Sequence, residues 1–379
     1  MQYVTVEKEV KSPSLDITVS RAFSDTTVPP MKTDHEHNFG RHIITCLATA
    51  LCICAAVELT CLSLGIAPLF TPNLPLNEKM RFLREHRPGS TPVAVVSGAS
   101  IALNDIDSDM LEDEERRPFV NLGANGISVP TSEQFYQQLA VLYSVREVIF
   151  AASPVEMRDA YRSDVEVPTP VFRRYVLGSM TMAEEFTYRD ISGLMSYWKN
   201  WSDYHSRTSP TSMVFTKTGA VPLELDVGAA GPRAGISEAL DLNPHCARCM
   251  SDLAQFCRDV RREGRPFTVV LGPVLPSVIE HDPRVRTVIA DRKEQFRTVA
   301  EGCNAQLFDI TDYATLDDSC FANSLHLNAQ GMSVMTAQLL RFRRGESIPK
   351  GMALTCGGLH LAATSGTQQR SSIARSGPD

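Results

Sequence analysis

The chain has 379 residues, of which 43% are hydrophobic and 21% are charged, a balance typical of a folded globular protein. This length accommodates one large α/β domain with extensions, or two modest domains. The formal net charge of −7 is mild for the size. It argues against a nucleic-acid-binding protein, which would present a basic face or stripe.

A long apolar segment lies near the N-terminus. Between His42 and Phe70 the chain has no Lys, Arg or Asp, and its one acidic residue is Glu58. Crossing a bilayer takes about 20 apolar residues, and this segment supplies them. A carboxylate near mid-membrane costs about 2.5–3.5 kcal/mol, which an otherwise strong segment tolerates. Glu58 either contacts a partner membrane protein or, as we favour, is protonated or lies near the interface.

The residues around this segment define its type. Residues 1–41 are polar and contain Ser-Pro and Pro-Pro breakers, so we expect a disordered tail. Such a tail is too long for an ordinary cleaved signal peptide. We therefore predict a single-pass signal anchor, a transmembrane helix over residues 42–70, followed by a linker over 71–91.

The ten cysteines divide between the apolar segment, with four, and the rest of the chain, with six. In an oxidising compartment the six could form disulfides. Cys246-x-x-Cys249 could be a redox or metal half-site. However, Cys246, Met250, Leu253 and Cys257 follow a helical period, which favours a packed helix face. No metal site is therefore expected.

Apolar strand segments alternate with amphipathic helical segments from residue 92 to 342. Strands are predicted at Pro92–Gly98, Phe119–Leu122, Glu147–Ala152, Phe267–Leu271 and Gln306–Ile310, and helices at Ser132–Tyr143, between Asn243 and Gly264, and at Arg284–Cys303 and Ala329–Phe342. An insert over about 154–241 interrupts this order, and a flexible tail is expected over 343–379. The alternation predicts an α/β fold, a three-layer α/β/α sandwich with a mostly parallel sheet.

Polar segments follow several of these strands. Ser100, the turn Asn121–Gly126 and Ser153 each come just after a strand, and His326 lies in a loop before the last helix. The carboxyl ends of parallel strands meet at one edge of a sheet, so these segments are expected to converge. A serine after a buried strand, with a histidine near the end of the domain, is the layout of a serine hydrolase.

The same segments resemble the SGNH, or GDSL-like, hydrolase superfamily over residues 92–342, outside the insert. The matching blocks are Gly98-Ala99-Ser100, Asn121-Leu-Gly123-Ala-Asn-Gly126 and Asn323-Ser-Leu-His326-Leu-Asn-Ala-Gln-Gly331. The resemblance implies a flavodoxin-like sheet, Ser100 as the nucleophile and His326 as the general base. It also implies an oxyanion hole formed by the backbone N–H groups of Ser100 and Gly126.

Two positions depart from the family pattern. The third block usually has Gly-x-Asn-Asp, but here the strand ends in Ala151-Ala152-Ser153-Pro154, so Ser153 either substitutes as an oxyanion donor or is a turn serine. Asn323 stands where the acid of the triad is expected, and an amide orients a histidine without stabilising its charged form. Three arrangements remain open: a Ser100–His326 dyad oriented by Asn323, an acid supplied by Asp317 or Asp318, or a weak or inactive enzyme.

The resemblance implies a membrane-anchored serine esterase or O-acyltransferase that works through an acyl-serine intermediate and needs no metal, nucleotide or other cofactor. Its membrane-tethered members resemble accessory proteins of polysaccharide O-acetylation, which receive acyl groups from a multi-pass membrane acyltransferase partner. A cell-envelope or extracellular carbohydrate ester is therefore the first substrate expected, and a small or lipid ester the second. The alternative is a catalytically degenerate SGNH-fold protein that binds a glycan or a membrane partner.

Two features bear on this expectation. Trp198 and Trp201, in the insert, could stack on sugar rings, although such a pair more often packs an insert onto its sheet. The orientation of the anchor is a second question, because two basic residues precede it and four follow it: Lys32 and Arg41, then Lys79, Arg81, Arg84 and Arg87. The positive-inside rule then places the large domain in the cytoplasm. The family resemblance implies an extracytoplasmic domain, which we retain, with a cytoplasm-facing esterase as the rival.

Overall fold

The computed structural model describes residues 34–63, 66–87, 89–155, 169–188, 191–225 and 247–356. The chain divides into two compact units, Met1–Leu62 and Ser63–Asp379. The predicted N-terminal tail up to residue 33, and the predicted C-terminal tail after residue 356, lie outside the described residues.

The described part of the first unit lies in one helix, α1, which spans Asp34–Ser63. This helix begins earlier than the predicted segment. Within it, Phe39–Cys61 is long and apolar enough to cross a membrane, by length and composition. Large apolar side chains on this helix are exposed, Phe39 by 69% and Leu51 by 70%. Such a surface is unfavourable in water and suits the hydrocarbon of a bilayer.

The expected linker over residues 71–91 is instead an ordered helix, α2, at Leu74–Glu85. The side chain of Asn73 caps it by accepting a hydrogen bond from the Leu76 N–H. Leu76 and Met80 are fully buried in the hydrophobic core. Apolar residues recur here at helical spacing between charged residues. The high charge content is typical of a linker, so the sequence did not indicate the helix.

The second unit is built on a five-stranded parallel sheet with the order β2-β1-β3-β4-β5. The strands are β1 Val93–Gly98, β2 Phe119–Asn121, β3 Val145–Ala152, β4 Phe267–Leu271 and β5 Gln306–Asp309. The predicted mostly parallel sheet is confirmed. The strand order reverses at β1, since the chain goes to one side of it for β2 and to the other for β3. A crevice for ligands forms at such a switch point, outside the carboxyl ends of the strands.

Helices cover both faces of the sheet. They are α3 Ser100–Asn104, α4 Ser108–Glu115, α5 Val129–Leu142, α6 Thr169–Val176, α7 Met182–Phe186, α8 Ile191–Lys199, α9 Trp201–Tyr204, α10 Ala247–Arg262, α11 Pro276–His281, α12 Pro283–Gly302 and α13 Ala329–Arg343. Alternate strand residues point to opposite faces. Val95 and Val148 join a core cluster with α5, α10 and α12, whereas Val96 and Ile149 join another with α4 and α13. This is the predicted three-layer α/β/α sandwich.

Helix α10 confirms the helical period read from its sequence. Met250, Leu253 and Cys257 are buried, and Cys257 forms a disulfide with Cys303 after the end of α12. Cys249 is also disulfide-bonded. The predicted cap of this helix and Cys246 lie outside the described residues.

The described part of the insert contains the short helices α6 to α9 and then a run without regular secondary structure that reaches residue 225. Trp198 is 64% exposed, so it does not pack the insert onto the sheet as expected. Trp201 stacks on His205, with ring centroids 3.8 Å apart.

The predicted tail from residue 343 is partly ordered. A short strand at Met352–Leu354, β7, pairs in parallel with β6 at Ala314–Leu316. Just beyond it, Cys356 forms a disulfide with Cys320. The described part of the tail is therefore tied to the segment that precedes the histidine loop.

Candidate active site

Strand β1 delivers Ser100 to the carboxyl edge of the sheet, beside the switch point between β1 and β3. The strand ends at Gly98, whose φ of +136° favours glycine. A Cβ at this position would also collide with the Ala151 carbonyl oxygen of β3. The chain turns at Ala99, and Ser100 becomes the first residue of α3 with 9% of its surface exposed.

His326 lies in a narrow turn between Phe321 and Leu327, which form an antiparallel bridge. Within the turn, the Ala322 N–H donates to the His326 carbonyl at 2.9 Å. The Asn323 N–H donates to the same oxygen at 3.3 Å. These bonds hold the backbone of the histidine in one place.

The base of this turn is fastened to the start of α13. The Asn328 N–H donates to the Cys320 carbonyl at 2.9 Å, and the Asn328 side chain accepts from the Gly331 N–H at 2.9 Å, capping the helix. Gly331 packs so closely on Cys320 that a Cβ would collide with its carbonyl oxygen. Only glycine therefore allows the helix to begin this near the turn.

The two predicted catalytic side chains meet. The Oγ of Ser100 is 2.7 Å from the Nε2 of His326, across 226 residues of sequence. This is the hydrogen-bond distance that proton transfer from a hydroxyl to a general base requires. The structure therefore brings together the nucleophile and base that the motifs indicated, and their catalytic roles stay a prediction.

The environment of the histidine keeps it neutral. Removal of the ring from water lowers the pKa of His326 to about 4, because burial disfavours the charged imidazolium. At neutral pH the imidazole is therefore unprotonated on one nitrogen and able to accept a proton. The same desolvation makes the imidazolium formed during a reaction costly.

Asn323 contacts the other side of the imidazole ring. Its Oδ1 accepts from the backbone N–H groups of Leu325 and His326 at 2.9 and 3.0 Å. Its Oδ1 lies 3.1 Å, and its Nδ2 3.0 Å, from the Nδ1 of His326. The amide can thus accept a hydrogen bond from a protonated Nδ1 or donate one to an unprotonated Nδ1. Only the tautomer with the proton on Nδ1 leaves Nε2 free to take the Ser100 proton, and asparagine does not enforce that tautomer.

Asp317 and Asp318, the alternative acids, are engaged elsewhere. Asp317 Oδ1 accepts from the Ser319 N–H at 3.1 Å, and Asp318 Oδ1 accepts from the Ser277 N–H at 3.3 Å. Neither carboxylate is hydrogen-bonded to His326. The side chains that contact the His326 ring nitrogens are therefore Ser100 at Nε2 and Asn323 at Nδ1.

The block Asn121–Gly126 packs against the helix that carries Ser100. The Nδ2 of Asn121 donates to the Ala102 carbonyl at 2.6 Å, and its Oδ1 accepts from the Gly123 N–H at 2.8 Å. Gly123 lies against the backbone of Leu103, where a Cβ would be 2.5 Å from the amide nitrogen. These contacts fix the end of β2 relative to α3.

Gly126, the predicted oxyanion donor, lies in a turn after β2 with a φ of +71°. The Nδ2 of Asn73, the cap of α2, donates to the neighbouring Asn125 carbonyl at 3.0 Å and steadies this turn. Sequence reasoning missed Asn73, since it lay in the expected linker. The oxyanion roles of Gly126 and of the Ser100 amide stay predictions.

Ser153, the third predicted donor, is fully buried at the end of β3. Its Oγ accepts a hydrogen bond from the Val155 N–H at 3.4 Å. This is the local bond of a turn serine. The oxyanion role of Ser153, like that of Gly126, stays a prediction.

Sequence reasoning also missed Asp105. This residue follows the last residue of α3 and is fully buried. Its Oδ1 accepts from the Leu327 N–H at 3.0 Å, so it ties the helix of Ser100 to the residue after His326. An acid five positions after the serine is visible in the sequence, but its partner is 222 positions away, and no spacing rule connects them.

The end of the insert covers the same region. The Val221 N–H donates to the Leu103 carbonyl at 2.8 Å, and the Ala329 N–H donates to the Leu223 carbonyl at 2.8 Å. The segment therefore bridges the serine helix and the start of α13. The insert contributes to the structure beside the Ser100–His326 pair.

No protein-family model matches the chain, and no curated protein matches its sequence. The solved structures that match include SGNH-hydrolase family esterases and carbohydrate acetylesterases.

Three of these structures illustrate the likeness. A putative arylesterase from Agrobacterium tumefaciens str. C58 is 12% identical, with 68% of this chain and 100% of that chain covered and a TM-score of 0.30. AlinE4, an SGNH-hydrolase family esterase, is 13% identical, with 68% and 97% covered and a TM-score of 0.29. Est24, a carbohydrate acetylesterase from Sinorhizobium meliloti, is 8% identical, with 67% and 99% covered and a TM-score of 0.30.

Replacing Asn323 by aspartate is expected to raise the predicted esterase activity. A carboxylate only accepts, so it fixes the proton on Nδ1, and it stabilises the imidazolium. At neutral pH, kcat/KM should rise at least about tenfold. The opposite change, Asp→Asn, lowers the rate of serine proteases ~10⁴-fold. The pKa of His326 should also rise from about 4, so the acidic limb of the kcat/KM profile should move to higher pH.

Gln330→Glu is the matched control for this experiment. It adds the same charge in the first turn of α13, where the helix dipole favours an acid and where the side chain is not a partner of the His326 ring. It should leave the pH limb close to that of the wild type. An Asn323→Asp protein with unchanged rate and unchanged pH limb would show that Asn323 does not govern the histidine.

Asp105 is expected to act as a positioning residue. Asp105→Ala removes the acceptor that holds Leu327 and should lower kcat by about 10²-fold with little change in KM, because a small displacement of His326 disrupts proton transfer. Asp105→Asn keeps an acceptor oxygen and should retain most of the activity. If both variants lose activity equally while remaining folded by thermal melting, the charge of Asp105 matters and not its hydrogen bond.

Proposed function

We propose that this protein is a membrane-anchored SGNH-type serine esterase or O-acyltransferase. The 2.7 Å contact between Ser100 Oγ and His326 Nε2 supports this most strongly. It lies at the switch point of a parallel sheet, where open α/β folds bind their ligands. The neutral imidazole beside the hydroxyl is in the state that a general base needs.

The first half of the reaction forms an acyl-serine. Ser100 Oγ attacks the ester carbonyl carbon while its proton passes to His326 Nε2. The carbonyl oxygen becomes an anion, for which the backbone N–H groups of Ser100 and Gly126 are the proposed donors. The carbon–oxygen bond of the ester then breaks, and the departing alcohol takes the proton from His326.

The second half removes the acyl group. Water, or a hydroxyl of an acceptor, gives its proton to His326 Nε2 and attacks the acyl-serine carbonyl. The bond to Ser100 breaks, and the serine oxygen recovers the proton from the imidazolium. Water gives an esterase, and a sugar hydroxyl gives an O-acyltransferase. Asn323 orients the ring in both halves.

We infer that the substrate is a carbohydrate ester of the cell envelope or cell surface, with a small or lipid ester as the second candidate. The exposed indole of Trp198 offers an aromatic face on which a sugar ring can stack. A multi-pass membrane protein that supplies acyl groups is the partner we infer for a transfer reaction.

We infer that the large domain faces the outside of the cell. The described residues contain two disulfides that join distant segments, Cys257–Cys303 and Cys320–Cys356, and such bonds persist in oxidising compartments. The charge count after α1 pointed the other way. However, Lys79 and Arg81 belong to the folded helix α2, and charges within a translocated domain have little influence on orientation.

A fluorophosphonate probe, which forms a covalent bond with activated serines, tests the proposed chemistry. The full chain in detergent should be labelled, and Ser100→Ala should abolish labelling. Ser333→Ala is the matched control and should retain it, because Ser333 is exposed on α13 and its hydroxyl donates to the Ala329 carbonyl of its own helix. His326→Ala should reduce labelling by at least about 10³-fold, since the serine loses its base.

The outcome separates the enzyme from its rival. Asn323, an amide in the place of the acid, is the observation that favours a catalytically degenerate, glycan-binding protein. Folded wild-type protein that resists the probe at all pH values above about 5, where an imidazole with the low pKa of His326 is neutral, would support the binding protein.

Fusion reporters test the orientation. Alkaline phosphatase joined after residue 379 is expected to be active in intact cells, because it requires an oxidising compartment for its disulfides. A green fluorescent protein at the same position should be the less productive fusion. Strong fluorescence with an inactive phosphatase would instead establish the cytoplasm-facing esterase.

A further inference from the structure

A charged cleft lies at the amino-terminal edge of the sheet, opposite the proposed active site. It has a volume of about 950 Å³ and includes the first residues of two strands, Phe267 and Gln306, in its lining. Six arginines and three glutamates line it, an excess of three positive charges in a protein whose net charge is −7. Neither the Ser100–His326 pair nor the proposed reaction uses this cleft.

Two of the arginines are fixed in an ion network. Arg343 pairs with Glu115 at 2.6 Å and with Glu147 at 2.8 Å, and Arg117 pairs with the same two carboxylates. The four side chains are 10–17% exposed. Because these two arginines and two glutamates compensate one another, the network contributes structure and no net charge.

The remaining arginines supply the excess charge. Within the described residues, Arg116 and Arg146 are exposed and form no ion pair, and Arg261 donates only to a backbone carbonyl. Arg344 pairs with Glu114 at 2.9 Å, but both side chains are about half exposed, so water and salt weaken that pair. The cleft therefore presents guanidinium groups that carry uncompensated charge.

Backbone conformation points to the same place. Of the residues that the structure describes, the non-glycine residues with positive φ are Arg116, at +55°, and Asn304, at +54°, and both line the cleft. Arg116 follows α4 at a position where glycine is the relaxed choice. Asparagine tolerates the left-handed conformation after a helix, whereas arginine is strained there, and strain of this kind is found at ligand sites.

We propose that this cleft binds a ligand carrying two or more phosphate groups. Arginine forks pair bidentately with phosphate and carboxylate oxygens. Arg116, Arg146 and Arg261 come from three different elements, and a tetrahedral phosphate presents oxygens in several directions, unlike a planar carboxylate. Phe267, the aromatic residue in the lining, is 2% exposed and offers no face for stacking, so recognition is ionic.

Calorimetric titration of the full chain in non-ionic detergent with inorganic tripolyphosphate tests this site. We expect saturable binding at one site per chain that weakens as salt rises, because ions screen exposed charges. Arg146→Gln should weaken binding about tenfold, the effect of losing one charge-assisted hydrogen bond. Arg173→Gln is the matched control, since Arg173 is exposed and lies outside the cleft, and should bind normally.

Arg116→Gly separates binding from folding. Glycine relaxes the left-handed backbone, so the melting temperature should stay equal or rise while tripolyphosphate binding falls.

No saturable binding, or equal weakening by Arg173→Gln, would refute the site. Citrate binding as tightly as tripolyphosphate would refute its selectivity for phosphate. Soluble short-chain phosphatidylinositol bisphosphate that binds more tightly, and loses this with Arg146→Gln, would uphold the site with a lipid headgroup as its source.

Discussion

The hydrogen bond between Ser100 and His326 depends on buried polar groups that hold each partner from behind. Asp105 holds the histidine turn to the serine helix, and Asn121 holds that helix to the end of β2. A buried polar group that loses its partner costs about 1–3 kcal/mol, so neither link can be released cheaply. Two loops that are distant in sequence therefore meet within 2.7 Å because the groups behind them leave few alternatives.

Asn323 gives this pair a particular chemical character. A carboxylate in its place would raise the pKa of the histidine, fix its tautomer and stabilise the charge that develops on it. The amide does none of these, so the imidazole is neutral over a wide pH range and is a weak proton acceptor. Burial adds to the same tendency, since it lowers the pKa of His326 to about 4. For the proposed esterase, this character favours reactive esters, or a substrate whose own groups assist the proton transfer.

The sequence predicted the strands and the main helices because their apolar residues recur at regular spacing, and it predicted the edge where Ser100 and His326 meet because strand order places it. It did not predict α2, because the charged residues of this segment outweighed the apolar residues that are buried in the fold, such as Met80. It also did not predict the roles of Asn73 and Asp105. Both act through single hydrogen bonds to backbone groups far along the chain, which residue type and spacing do not encode. The exposure of Trp198 could not be predicted either, because only the packing of its helix in the fold shows that this side chain faces solvent.

The two edges of the sheet differ in their electrostatics, and one helix connects them. Helix α13 begins beside the histidine turn and ends at Arg343 in the ion network, a span of about 22 Å for its 15 residues. Met335 and Leu339 bury its middle in the core. A ligand alters a distant site only if it binds two conformations with different affinity. The ion network holds the end of α13 in one arrangement, and core packing holds its middle. A phosphate ligand bound at the amino edge is therefore expected to leave the proposed chemistry at the carboxyl edge unchanged.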